Sequence, residues 1–138
     1  MANAIYPLFK QEILKGTANN LLNSAEGATG VFCALIDTGT YTYSAAHQFY
    51  SSLSGVVGTD QEILTKTQVN GTFDGTDLTF TAVTGATVEA LALYRKNAGA
   101  NTTWPLIAYI DTSVTGLPVT PNGGNITITW SASGIFSL

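Results

Sequence analysis

The spacing of apolar positions changes period several times along the chain. Between residues 4 and 15, Ile5, Leu8, Phe9 and Ile13 recur at helical spacing and share one face. Pro7 suits a first helical turn, where its missing N–H costs nothing, and Gly16 reads as the stop. Residues 17–29, TANNLLNSAEGAT, are polar and predict a loop, with Leu21 and Leu22 as its apolar pins. A helix of about three turns is marginal alone in water. Its apolar face needs a surface, either the chain's own sheet or a neighbouring subunit. We read residues 1–29 as an N-terminal helical arm and loop that reach a neighbour.

The following segments alternate at period two or form short apolar runs. VFCALID (31–37) predicts a buried strand ending at an Asp-Thr-Gly turn. ILTKTQVN (63–70), LTFTAV (78–83), TVEALALYR (87–95), LIAYI (106–110) and NITITW (125–130) predict further strands. In the last, Ile126, Ile128 and Trp130 fall on one side. Between them, Ser44 to Ser54 returns to helical spacing, with Ala45, Ala46, Phe49, Tyr50 and Leu53 as the stripe and Gly55 as the stop. Turn signals such as Asn70-Gly71, Asp74-Gly75 and Thr115-Gly116 punctuate the series. The pattern predicts one mainly β domain over residues 1–138. Its expected form is an antiparallel β-sandwich or open, jelly-roll-like barrel with one or two short helices.

Composition narrows the function classes. Charged residues are 10% of the 138, against about 25% in an average globular chain. The polar surface is therefore mostly Thr, Ser, Asn and Gly. Net charge is −4, with five Lys and Arg in all, so there is no basic stripe to bind a phosphate backbone. Direct nucleic-acid binding is not expected. No apolar run approaches about 18 residues, so no membrane span is expected. MANAIYPLFKQEILKG lacks the charged leader, apolar core and cleavage site of a signal peptide, which predicts synthesis and folding in a cytoplasm.

Candidate chemistry is sparse. Cys33 is the single cysteine and His47 the single histidine, too few ligands for a zinc site. Cys33, inside an apolar run, reads as a small buried side chain. His47 lies near Tyr43, Tyr50 and Ser51 on the predicted helix, with Asp37 as the nearest candidate orienting acid. Ser51 and His47 on one helix do not make a nucleophile elbow. His47 therefore reads as a hydrogen-bonding group on the flank of a docking helix. Asp74-Gly-Thr-Asp77 lacks the remaining ligands of a calcium loop and reads as a turn. TPNGGN (120–125) lacks the Lys and Ser/Thr of a phosphate loop and reads as a hairpin-type turn. Trp104, Tyr41 and Tyr43 are candidate stacking surfaces. Arg95, Lys96 and the loop to Trp104 form a polar tip suited to meeting a partner. No catalytic residue, metal ligand or cofactor is predicted, and the chain is not expected to be an enzyme.

Three segments carry a resemblance: YTYSAAHQFYSSLSGVVGT (41–59), TFTAVTGATVEAL (79–91) and AYIDTSVTGLPVTPNGGNITITW (108–130). They resemble small virion proteins of tailed bacteriophages, most nearly the capsid decoration, or cement, proteins. The resemblance implies a structural part of the virion at the capsid surface, present in many copies. Its implied partners are the major capsid protein and further copies of itself. On this reading Ile5, Leu8, Phe9, Ile13, Arg95 and Trp104 are the candidate interaction residues. The alternatives are a tail- or fibre-associated carbohydrate-binding module and a small hydrolase.

Overall fold

Three apolar runs, buried on both faces, form the centre of the fold. They are β2 (Val31–Ile36), β7 (Ala90–Arg95) and β8 (Leu106–Ile110). The other strands and the α-helix among the described residues are β1 (Ala4–Ile5), α1 (Pro7–Leu14), β3 (Val56–Glu62), β4 (Thr67–Val69), β5 (Thr72–Asp74), β6 (Leu78–Phe80), β9 (Ile126–Ile128) and β10 (Phe136–Ser137). The computed structural model describes residues 3–17, 22, 25–27 and 29–138. The main sheet has the order β1-β8-β7-β2-β3; a second is β10-β5-β4, and a third pairs β6 with β9. Every pairing is antiparallel, and no sheet closes on itself. One apolar cluster joins Leu35, Leu91 and Leu93 of the main sheet to Phe73, Phe80 and Ile128 of the smaller two. The architecture is an open antiparallel β-sandwich with one α-helix among the described residues.

The last predicted strand follows its alternation. Ile126 and Ile128 are buried, Thr127 between them is exposed, and Trp130 beyond them is half-buried. β9 pairs with β6 so that Ile128 faces Leu78 and Ile126 faces Phe80. The predicted 78–83 and 87–95 segments shorten to Leu78–Phe80 and Ala90–Arg95, while Val83 and Val88 stay buried outside the ladders. Cys33 is fully buried, and burial pushes its thiol up.

Three expectations change. The helix over 44–54 is absent; a turn at Ala45–Ala46 and a 3₁₀ turn at Tyr50–Ser52 stand in its place. Its backbone bonds elsewhere: Leu106 N–H donates to Gln48 O at 2.9 Å, Tyr50 N–H to Trp104 O at 2.8 Å, and Phe49 bridges Pro105. Ser, His, Phe and Tyr are middling helix formers, so tertiary hydrogen bonds prevail. Next, β3 was missed and the predicted 63–70 strand is strand only over its second half. Thr65 has φ 50°, and only 67–69 pair, as β4. The sequence VVGTDQE hides its strand because Gly58, at φ 72°, sits in a bulge between the pairs Leu35–Val57 and Cys33–Gln61.

The third change is at the N-terminus. The helix begins at Pro7 and ends at Leu14, but it lies on the chain's own core rather than reaching out. Ala4 and Ile5 pair with Tyr109 and Ala108, Tyr6 N–H donates to Ile107 O at 3.0 Å, and Phe9 is 1% exposed. Of the loop expected over 17–29, Leu22 packs on the core and Glu26 accepts from Thr65 N–H; Leu21 lies outside the described residues.

Two substitutions test this packing. Ile128→Asp places an unpaired charge at a site with no exposure and should cost more than about 4 kcal/mol, whereas Thr127→Asp should cost under about 1 kcal/mol. Phe9→Ala should destabilise the isolated chain by about 3–5 kcal/mol. Urea unfolding checks all three; a harmless Phe9→Ala would mean that the helix contributes nothing in cis.

Candidate functional site on the tyrosine face

Side chains directly opposite one another in a sheet share a face. Ala34 is opposite Ala92, Ile36 opposite Ala90, and Ala92 opposite Tyr109. One face of the main sheet is thus floored by small alanines. Residues 41–53 run along this face as a strap, and their tyrosines pack on the rings of Tyr6, Tyr94 and Tyr109. Tyr43 lies 5.1 Å from Tyr6 and 5.4 Å from Tyr109, and Tyr41 lies 6.0 Å from Tyr109, ring centre to ring centre. These spacings fall in the favourable aromatic range.

The hydroxyls here form a chain. Tyr6 Oη and Tyr41 Oη are 2.9 Å apart, and Tyr41 Oη is 2.8 Å from His47 Nδ1. Tyr6 has no exposure and Tyr41 only 2%. Burial, more than any neighbouring charge, raises the pKa of both. His47 is therefore a partner of buried tyrosines on an irregular strap, not a group on the flank of a docking helix. Asp37 caps a turn instead, accepting from Gly39 N–H at 2.8 Å and Thr40 Oγ1 at 2.7 Å.

Beside this cluster is a groove of about 320 Å³ lined by Thr38, Tyr43, Glu89, Tyr109 and Asp111. Burial first, and then Asp111, pushes Tyr109 up to about 12. Its floor rings, Tyr41 and Tyr109, are 2% and 3% exposed and offer little face to a ligand.

The second cluster is at the opposite end of the same face. Asp60, on β3, accepts hydrogen bonds on one oxygen, Oδ2, from Tyr50 at 2.9 Å and Tyr94 at 2.8 Å. Its Oδ1 is sealed from solvent without a hydrogen-bond partner. Desolvation dominates and raises the carboxyl pKa, although both tyrosines and Lys96 oppose the shift. Around it Phe32, Tyr94 and Trp104 stack in a row, each step 5.8 Å, and Tyr50 meets Trp104 edge-on at 5.4 Å. Trp104 is fixed by its indole N–H, shared between Asn97 O and Gly99 O at 3.1 and 2.9 Å. Lys96 Nζ lies 5.4 Å from the Phe32 ring centre and 5.1 Å from that of Trp104. A groove of about 340 Å³ runs along these side chains, and the Lys96 ammonium already covers two of its rings.

The predicted interaction residues are thus dispersed. Trp104 joins the Asp60 cluster and is half-buried. Arg95 pairs with Val31 and, by strand alternation, points away from Tyr94; burial lowers its pKa. Ile5 and Ile13 pack against the core, Phe9 is inside it, and Leu8 is half-buried. Asp60, Tyr6 and Tyr94 were missed. Asp60, one of two acids in β3, reads in the sequence as a turn residue, and the tyrosines read as ordinary strand or helix positions. Among the described residues no group of three or more His, Cys, Asp or Glu is placed to hold a metal. Asp77, from the DGTD turn, accepts from Trp130 N–H at 2.9 Å. Both clusters offer stacking and hydrogen bonding. Compared with known proteins, the chain matches no family model and no curated sequence.

The Asp60 shift has a definite sign. A raised folded-state pKa means that the folded chain holds the proton more tightly than the unfolded chain. The associated stability is present at acid pH and lost as pH rises through the raised value. Asp60→Asn keeps an acceptor for the tyrosines without the charge. It should equal or exceed the wild type at pH 7, with its advantage shrinking at pH 4. Asp60→Leu strands both hydroxyls and should cost about 2–4 kcal/mol. Urea unfolding at the two pH values decides; an Asp60→Asn protein that is much weaker at pH 7 would contradict this sign.

Proposed function

We propose that the chain is a structural protein of a tailed-phage virion, a decoration protein that binds the capsid shell in many copies and reinforces it. The observation that carries this reading is the character of the outward positions. Thr59, Thr67, Gln68, Val69, Thr79 and Thr127 are exposed on strands and carry no charge. A neighbour can cover such positions without desolvating ions, the costly step in burying a charged surface. The resemblance of 41–59, 79–91 and 108–130 to virion proteins supports the same reading and names the major capsid protein and further copies as the neighbours.

Reinforcement then works by mass action. A protein that binds the expanded shell, and not its precursor, stabilises it in proportion to occupancy. Contacts between adjacent copies add avidity to individually modest contacts. The half-buried rings of Phe32 and Trp104 also keep a tail-borne, sugar-binding role in view, although Lys96 lies over both.

Electron microscopy of the virion tests the proposal. Expected is density for this chain on the capsid faces in hundreds of copies. Shell binding should change less than about threefold between low and high salt, since few charges are available to be screened. A location at the tail in a few copies, or hydrolysis of glycans or peptides by the purified chain, would replace this reading.

A further inference from the structure

Tyr6, Tyr41 and His47 form an unbranched chain with two links. Each link holds one proton. With the imidazole neutral, the protons fit: Tyr6 donates to Tyr41, Tyr41 donates to Nδ1, and the remaining imidazole proton is on Nε2. This is the one arrangement that gives both hydroxyl protons an acceptor within the chain, so it fixes the neutral tautomer. A proton added at Nδ1 changes the count. Three protons then point along two links, and one tyrosine hydroxyl loses its acceptor. Both hydroxyls belong to residues with 2% exposure or less, so water does not replace it.

We propose that this chain is a proton-operated latch, and that protonation of His47 unseats the N-terminal segment, residues 3–14, from the sheet. The strap is the firmer of the two parts the latch joins. It is bonded on one side at the Asp37–Tyr41 turn and on the other through Gln48 and Tyr50 to residues 104–106. The N-terminal segment is held by a two-residue edge strand, the Tyr6 and Asn3 bonds and the seating of Phe9. Its release takes the Tyr6 hydroxyl to water and removes the conflict.

The groups around the latch are few. Tyr43 from the strap and Tyr109 from β8 pack on its rings. Glu89 and Asp111 line the adjacent groove with Tyr41. Glu89 accepts from Thr38 N–H at 3.0 Å. The imidazole is the group in the chain whose protonation changes the proton count.

Hydrogen exchange of the whole chain, corrected for the intrinsic pH dependence of exchange, tests the latch. Between pH 7.5 and 5 the amides of 6–14 should open about tenfold more often, the scale set by stranding one buried donor. The strap amides should change less. His47→Gln keeps an acceptor for Tyr41 and gains no proton, so its 6–14 amides should stay protected at both pH values. Tyr41→Phe breaks both links and should leave the segment loose at both. In the unsubstituted protein, the opening should track the imidazole Cε1–H resonance through its titration. Acid opening that is absent, that persists in His47→Gln, that is confined to the strap or that is out of step with the imidazole would overturn the proposal.

Discussion

The smallness of three side chains sets the form of this molecule. Ala34, Ala90 and Ala92 share one face of β2 and β7 with Phe32, Ile36 and Tyr94, and they are its small positions. A valine or leucine at these sites would fill the space in which the strap's tyrosines and Tyr6 lie. With alanine, the aromatic layer settles close to the backbone and its hydroxyls fall within reach of one another. The strap therefore does not need to be a helix. It is an irregular segment whose shape is dictated by the rings beneath it and by backbone bonds to residues 104–106.

This explains which parts of the fold were legible in the sequence. VFCALI, ALALYR and LIAYI announce themselves because both faces are buried, and ITI announces itself because one is. The helix from Pro7 to Leu14 is equally plain, with its proline start and glycine stop. The strap is not plain, because Ala45, Ala46, Phe49 and Tyr50 satisfy a helical period by spacing while their backbone bonds go elsewhere. β3 is not plain either, since its bulge at Gly58 breaks the alternation that would reveal it. Of the candidate site, Trp104 and His47 stood out as rare residue types. Asp60 became visible only when the fold brought Tyr50 and Tyr94 to one oxygen of it.

The shortage of charge in the sequence has a counterpart in how the charges are used. Glu12 bridges Lys15, and Lys66, itself nearly buried, lies 3.9 Å from Glu26. Glu62 receives Gly27 N–H, Glu89 receives Thr38 N–H, and Asp37 and Asp77 tie loops. The acids serve largely as fasteners for backbone N–H groups. Asp60 differs in its setting: it tethers two tyrosines where burial disfavours its ionised form.

The edge at β4 has a consequence for how the isolated chain behaves in solution. Thr67, Gln68 and Val69 end a sheet with neither lysine nor proline among them, and all three are exposed. Edges of this kind are templates for another strand. A second copy of the chain can pair there, so the isolated protein at high concentration would drift toward filaments or precipitate, and its solubility would report how well that edge is covered.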